Sequence, residues 1–172
     1  MRKKGQKGRI HKMLGPFIAA ISTTLVIIAA ILLSQALDGT RQTASTSPAN
    51  IEITVYRTSA CSCCAEYEEY LRSKRVVVKT IILDPAGLSD LRRRIGIPSA
   101  LLSCHTSIVE DYFVEGHVPL EVISRLLAER PDVDGIALPG MPQGVPGMGG
   151  TRKGPLQVFA LSGDSISVFM EL

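Results

Sequence analysis

Alternating and clustered apolar positions divide the chain after residue 50 into short strands and helices. Ile51–Tyr56 alternates apolar and polar side chains as a half-buried strand does, and Val76–Leu83 is a β-branched run typical of a buried strand. Between them, Cys64–Lys74 has the composition of a helix. The pattern further predicts a helix at Leu88–Ile95, strands at Ala100–Cys104 and Val109–Val114, a helix at Leu120–Glu129, and a last hairpin formed by Leu156–Leu161 and Ile166–Met170.

The predicted elements alternate between strand and helix, which is typical of an α/β domain. Their order is βαβαββα, followed by the C-terminal hairpin. Prolines and glycines recur throughout residues 135–150, so we predict neither helix nor regular strand there. The pattern places one folded domain at residues 51–172.

The first fifty residues have a different character. Six basic residues precede Met13, and no charged residue occurs in 13–37. That apolar run is long enough to cross a membrane as a helix, and the basic side of such a segment stays in the cytoplasm. We predict a basic cytoplasmic tail at 1–12, a transmembrane anchor or uncleaved signal at 13–37, and a flexible Ser/Thr-rich linker at 38–50.

A cleaved signal peptide is the alternative, because Ser34-Gln35-Ala36 resembles a cleavage site. With an anchor, the protein is a single-pass protein of the inner or cytoplasmic membrane. In both cases residues 51–172 lie in the periplasm or outside the cell, where disulfides form readily.

Charge and composition exclude some classes of function. Beyond the basic tail the chain has thirteen basic and sixteen acidic residues, and only 5% of all residues are aromatic. A nucleic-acid-binding surface needs a basic face and aromatic side chains for stacking, so we expect no nucleic-acid partner. The sequence also contains no phosphate-binding glycine loop and no serine triad, so hydrolase activity is not indicated.

Three of the four cysteines, Cys61, Cys63 and Cys64, lie where the first strand leads into the first helix. Free backbone N–H groups at a helix start favour thiolates. The spacing Cys61-x-x-Cys64 is that of thioredoxin-type redox sites, and Ile97-Pro98 lies where such folds carry a cis-proline. One hypothesis is therefore a thiol–disulfide oxidoreductase with Cys61 as the attacking thiol and Cys64 as the resolving thiol.

The additional Cys63 is awkward for simple dithiol exchange but suits a soft metal site. Thiolate and thioether ligands select Cu(I), whereas zinc accepts cysteine and histidine but has little use for methionine. The candidate metal ligands are Cys61, Cys63, Cys64, Cys104, His105, His117, Met141 and Met148. Simpler interpretations remain open: a structural Cys61–Cys64 disulfide, structural histidines, and methionines that pin an irregular loop to the core.

Several unusual strings occur together in one order: Cys61-Ser-Cys-Cys64, Gly96-Ile-Pro98, Ser103-Cys-His-Thr106, Glu115-Gly-His-Val-Pro119 and Pro139-Gly-Met-Pro-Gln-Gly-Val-Pro-Gly-Met148. With them, residues 51–172 closely resemble a bacterial family of predicted metal-binding proteins of unknown function that includes the CopG-like copper-tolerance proteins. Tyr67 stands where that family usually has tryptophan. The resemblance implies a thioredoxin-like fold, export, and copper bound by the cysteine cluster with histidine or methionine.

The sequence therefore predicts an α/β, thioredoxin-like domain with a βαβαββα core and a C-terminal hairpin behind one N-terminal transmembrane helix. It predicts copper binding for tolerance or trafficking, as Cu(I), with Cu(I)/Cu(II) cycling as a hypothesis. Copper-exporting or copper-oxidising proteins are the expected partners. The alternatives are the oxidoreductase, and an accessory domain whose cysteines are structural.

Overall fold

The computed structural model describes residues 51–172. The predicted tail, membrane segment and linker lie outside the described residues. The strands are β1 (Glu52–Arg57), β2 (Val77–Ile82), β3 (Thr106–Val109), β4 (Tyr112–Glu115), β5 (Gly135–Ala137), β6 (Gln157–Ser162) and β7 (Ser165–Glu171). The helices are α1 (Ser62–Ser73), α2 (Pro85–Arg94) and α3 (Leu120–Glu129), with a 3₁₀ turn at Ser99–Leu101.

All seven strands form one sheet, in the order β2-β1-β3-β4-β5-β6-β7. The β1–β2 and β4–β5 pairs are parallel, and the other neighbours are antiparallel. The hairpin of β3 and β4 is central, because β1 lies on one side of it and β5 on the other. The residues just before β3 and just after β4 are consequently brought to the end of β1, where α1 begins.

The larger core lies on the face of the sheet that α1 and α3 cover. It joins Tyr67 and Leu71 of α1 to Ile123 and Leu126 of α3 and to inward-facing strand residues such as Val114. In α3 the buried positions recur at helical spacing, as the sequence predicts. A smaller apolar cluster around Phe113 and Leu161 lies on the other face, under the segment that follows α2.

The predicted strand at Ala100–Cys104 is wrong. Its residues form the 3₁₀ turn and an irregular stretch, and β3 begins only at Thr106. The Ile97–Pro98 bond is trans, as is every peptide bond of residues 51–172. The backbone N–H of Leu101 donates to the Pro98 carbonyl at 3.0 Å, so local turn bonds replace the strand pairing that the apolar run predicted.

The predicted fold class is also wrong. A thioredoxin-like βαβαββα core with an appended hairpin omits β5, which pairs in parallel with β4 and in antiparallel with β6. Because β5 bridges the two, the C-terminal hairpin belongs to the same sheet, and the described part of the chain is a mixed α/β fold of seven strands and three helices. Within residues 51–172 no helix is long and apolar enough to cross a membrane.

Candidate metal centre

The start of α1 carries three of the cysteines. After β1 the chain makes a turn in which the Cys61 N–H donates to the Thr58 carbonyl at 3.3 Å, and α1 begins at Ser62, two residues before the predicted start. Cys64 is fully buried, whereas Cys61 and Cys63 are half-buried. Cys61 and Cys64 form a disulfide, and the Cys63 Sγ lies 3.5 Å from the Cys61 Sγ.

The fourth cysteine, Cys104, lies close to the other three because it precedes β3, the strand next to β1. Cys104 and His105 lie in the irregular stretch that leads into β3, and β3 pairs with β1. His117 follows β4, whose pairing with β3 brings it alongside; the Gly116 N–H donates to the His105 carbonyl at 2.9 Å. The hairpin therefore delivers one thiol and two imidazoles to the start of α1.

The six cysteine and histidine residues form two overlapping groups. In each group the ligand atoms all lie within 4.8 Å of one another. The first group is Cys61, Cys63, Cys64 and Cys104, and the second is Cys64, Cys104, His105 and His117. Cys64 and Cys104 belong to both, so the sulfurs and the imidazoles form one continuous site with the geometry to hold a metal ion.

The hydrogen bonds of His117 determine which of its nitrogens faces the site. Its Nδ1 lies 2.7 Å from the Pro146 carbonyl, which can only accept, so Nδ1 carries the proton. Burial lowers the pKa of His117, so the ring is neutral and its Nε2 has a free lone pair. Nε2 lies 3.0 Å from the Cys104 Sγ, which donates to it. A backbone carbonyl on the far nitrogen is the usual support of a metal-binding histidine.

His105 is buried in the same place. Its Nδ1 lies 3.4 Å from the Cys104 Sγ, and its Nε2 has no hydrogen-bond partner among the described residues. Burial, with smaller contributions from His117, Arg92 and Arg57, lowers the pKa of His105 to about 3. The Tyr67 ring packs against both imidazoles, with centroid distances of 4.8 Å to His105 and 5.1 Å to His117, and the two imidazoles contact each other at 4.9 Å. Both rings are thus neutral and held by an aromatic neighbour.

Burial, and then the neighbouring Cys63, raise the pKa of the Cys104 thiol to about 12. Without a metal the thiol therefore keeps its proton at neutral pH. A bound cation reverses this preference, because it replaces the proton on sulfur.

The two predicted methionine ligands lie in the segment after β5. Gly140 pairs with Ser103, which places Met141 beside the Cys104 segment, but 59% of its surface is exposed. Met148 is partly buried and packs against the larger core. The structure thus brings Cys61, Cys63, Cys64, Cys104, His105 and His117 together, and places the two methionines on the segment that borders them.

Residues that the sequence did not single out also shape the site. Gly147 has φ +75°, and a Cβ there would lie 2.6 Å from the Tyr67 backbone nitrogen and 2.8 Å from the Cys63 carbonyl oxygen. Only glycine permits this approach, and it brings the Pro146 carbonyl to His117. Arg92, in the helix that the sequence predicts at Leu88–Ile95, pairs with the buried Glu115. Leu88, Arg92 and Ile95 are spaced at i, i+4 and i+7, so they share one face of the helix. This spacing is the feature of the sequence that could have predicted an inward-facing Arg92.

Known proteins resemble this chain in both sequence and structure. A family described as "Protein of unknown function, DUF411" matches residues 101–148, which include Cys104, both site histidines and both methionines. A solved structure named "Copper resistance protein copG- Form 2" is 38% identical, with a TM-score of 0.65, and the match covers 71% of this chain and 98% of that one. A second solved structure, "Copper resistance protein copG- Form 1", is 37% identical with a TM-score of 0.65, and the match covers 71% of this chain and 97% of that one. No curated protein matches the chain.

A sequence identity of 37–38% over nearly the whole length of these solved structures agrees with the match to the family model. The chain therefore belongs to the DUF411 family, together with the CopG-like copper-tolerance proteins.

Proposed function

We propose that this protein binds copper as Cu(I). The proposal rests on one observation: four cysteine sulfurs lie close together, and two buried histidines lie close to two of those sulfurs. Thiolate is a soft ligand and favours Cu(I), and imidazole suits copper as well. Zinc also accepts this donor set, so the metal has to be established by competition between the two ions.

The ligands in this proposal are the thiolates of Cys61, Cys63, Cys64 and Cys104, with His105 and His117. His117 fits the role because its outer nitrogen is bonded to the Pro146 carbonyl and its inner nitrogen faces Cys104. The Cys61–Cys64 disulfide must be reduced first, because a disulfide sulfur is not a thiolate ligand. Met141 and Met148 remain predicted ligands, as thioether donors at the rim.

The proposed role is copper tolerance or trafficking, which the names of the two similar solved structures support. Cycling between Cu(I) and Cu(II) is part of the proposal, since a mixed sulfur and imidazole donor set accepts both states. Proteins that export or oxidise copper are the proposed partners.

We also propose that the domain works outside the cytoplasm. The basic start followed by the uncharged stretch at 13–37 supports export, as does the disulfide. A phosphatase reporter that is active only outside the cytoplasm, fused after Leu172, tests this. An active fusion is expected, and an inactive fusion that accumulates to the same level would contradict export.

The experiment for copper uses the full chain, reduced and kept without oxygen. Metal content and Cu(I) affinity are measured against a competing chelator, beside the double variant Cys61→Ser/Cys63→Ser. Tight binding that collapses in the variant is expected. His117→Gln is expected to weaken binding by about 10–100-fold, whereas His11→Gln, outside residues 51–172, is the matched histidine control. A native chain that loses copper to a modest chelator would refute the proposal.

The second candidate function is thiol–disulfide exchange. The observation in its favour is the Cys61–Cys64 disulfide at the start of α1, with Cys61 half-buried rather than enclosed. Turnover on a disulfide substrate, lost in Cys61→Ser and retained in Cys63→Ser, would support exchange over copper binding. Turnover that is absent from the native chain would exclude it.

A further inference from the structure

Cys104 and His105 lie on a stretch that regular secondary structure does not hold. The 3₁₀ turn ends at Leu101, and β3 begins at Thr106. A segment without helix or ladder hydrogen bonds opens locally at low cost unless other contacts fix it. Its ligand atoms nevertheless have to be held closely if a metal ion is to bind tightly.

Backbone bonds from Gly116 to the His105 carbonyl and from Gly140 to the Leu102 carbonyl hold this stretch at two points. The side chains that bind the two residues flanking Cys104 and His105 belong to one buried ion pair. Glu115 is fully buried, and its Oε1 accepts from the Arg92 Nη2 at 2.6 Å and from the Ser103 backbone N–H at 2.7 Å. Its Oε2 accepts from the Thr106 hydroxyl at 2.6 Å. A single carboxylate therefore holds the residue before Cys104 and the residue after His105.

Arg92 binds the same two flanking residues. Its Nε donates to the Thr106 hydroxyl at 3.1 Å, and its Nη2 donates to the Ser103 carbonyl at 2.9 Å. The planar guanidinium presents these donors in a fixed arrangement, which a lysine cannot reproduce. Burial raises the pKa of Glu115, and the bonds from Thr106, Arg92 and Ser103 oppose that shift.

The pair lies on the opposite side of the strand from the metal ligands. Thr106 points toward Arg92 of α2, whereas its neighbour His105 contacts Tyr67 of α1. Alternation of side chains along a strand explains this division. Arg92 and Glu115 thus bind the two residues on either side of the Cys104–His105 pair.

We propose that Arg92 and Glu115 are positioning residues that hold Cys104 and His105 in the geometry of the metal centre. The copper-related part of this inference rests on the proposed function. The structural part, immobilisation of the Cys104 segment, does not require copper and can be measured without it.

The test variant is Glu115→Gln in the full chain, and the matched control is Glu68→Gln. Glu68 forms a similar ion pair with Arg57, with side-chain exposures of 4% and 15% against 0% and 14% for Glu115 and Arg92. Glu68 also bonds to Arg72 and Thr80, and its bonds reach α1, β1 and β2 but not residues 103–106. Both variants lose a buried ion pair, but only Glu115→Gln releases the Cys104 segment.

The first measurement is the alkylation rate of Cys104 with Cys61, Cys63 and Cys64 replaced by serine. We expect Glu115→Gln to raise the rate about tenfold through local opening, and Glu68→Gln to leave it unchanged. Equal rates in the two variants would overturn the proposal. If Glu115→Gln fails to fold, Thr106→Val removes one shared hydroxyl at nearly constant volume, and the same rise is expected from it.

The second measurement is Cu(I) affinity with all four cysteines present. Glu115→Gln is expected to weaken binding by about 10–100-fold, as the loss of groups that orient metal ligands does, while Arg92→Lys gives a smaller loss. If the native chain binds no copper, the proposed function fails, and the alkylation rates still decide whether the pair immobilises Cys104. If copper binds equally well in Glu115→Gln and in Glu68→Gln, the positioning role is refuted.

Discussion

Cys104 is the residue in which the two halves of the site meet, because it contacts His117 and belongs to both ligand groups. The sequence predicted this cysteine as a ligand from its position beside His105. It could not predict that burial would keep its thiol protonated, since burial depends on the pairing of β3 with β1 and β4.

This protonation gives a prediction for the metal-free protein. In a chain with serine at positions 61, 63 and 64, we expect Cys104 to be alkylated at pH 8 at least about tenfold more slowly than the same chain in denaturant. Burial is the largest cause of the raised pKa and remains in this variant. The denatured sample is the control, and equal rates would show that the thiol is freely exposed.

Tyr67 illustrates what residue-scale reasoning can and cannot provide. The helical spacing of Cys64, Tyr67 and Leu71 predicts one buried face of α1. The packing of the Tyr67 ring against two imidazoles depends on residues 38 and 50 positions further along the chain. No pattern within the helix contains that information.

At the scale of elements, most strands and helices follow from the pattern of apolar positions, and the exceptions lie at the β3–β4 hairpin and at β5. The predicted strand at Val109–Val114 is wrong, because it contains the turn at residues 110–111 that separates β3 from β4. Residues 99–101 form a 3₁₀ turn because the N–H groups of Leu101 and Leu102 donate to the carbonyls of Pro98 and Ser99. β5 has only three residues within a segment rich in glycine and proline, so its alternation is too short to detect. Because the sequence did not predict β5, it also could not predict that the C-terminal hairpin joins the same sheet.

The segment that carries Pro146 and Gly147 gives a second prediction. Gly147→Ala puts a Cβ within 2.6 Å of the Tyr67 nitrogen at φ +75°, so we expect a loss of about 1–3 kcal/mol in the free energy of unfolding. Displacement of the Pro146 carbonyl should also weaken metal binding through His117. Chemical denaturation measures the first effect.

Gly149→Ala is the matched control, because a Cβ at Gly149 meets nothing within 4 Å. We expect this variant to differ little from the native chain. A similar loss of stability in both variants would mean that the close approach of Gly147 to α1 is unimportant.

At the scale of the whole molecule, the neutral state of His105 makes stability depend on pH. The unfolded chain takes up a proton on His105 near pH 6.5, but the folded chain does so only near pH 3. The folded state is therefore destabilised as pH falls through this window, by at most about 1.4 kcal/mol per pH unit from this group. Above pH 6.5 the group has no effect.

Urea denaturation at pH 7 and pH 5 measures this dependence. His105→Gln cannot be protonated at this position, so we expect it to show a smaller difference between the two pH values than the native chain. Carboxylates contribute equally to both chains and cancel in the comparison. An identical difference in the two chains would show that His105 is not the cause.

The Cys61–Cys64 disulfide spans a sequence separation of three residues. Chain-entropy arguments give such a small loop only about 2 kcal/mol of stabilisation. We therefore expect the reduced protein to remain folded, with a Tm about 5–10 °C lower. Circular dichroism with and without reductant measures this, and unfolding on reduction would favour the structural interpretation of the disulfide.

Because the disulfide contributes little to the fold, it can open and close while the rest of the domain stays in place. Its two sulfurs are also proposed metal ligands, so in that proposal oxidation and metal binding compete for the same atoms. Thermodynamic linkage makes this competition reciprocal. In the proposed copper site, a more reducing environment raises the apparent affinity for the ion, and a bound ion raises the reduction potential of the cysteine pair because it stabilises the reduced thiolates. On this proposal, the metal content of the protein depends on the thiol redox state of its surroundings.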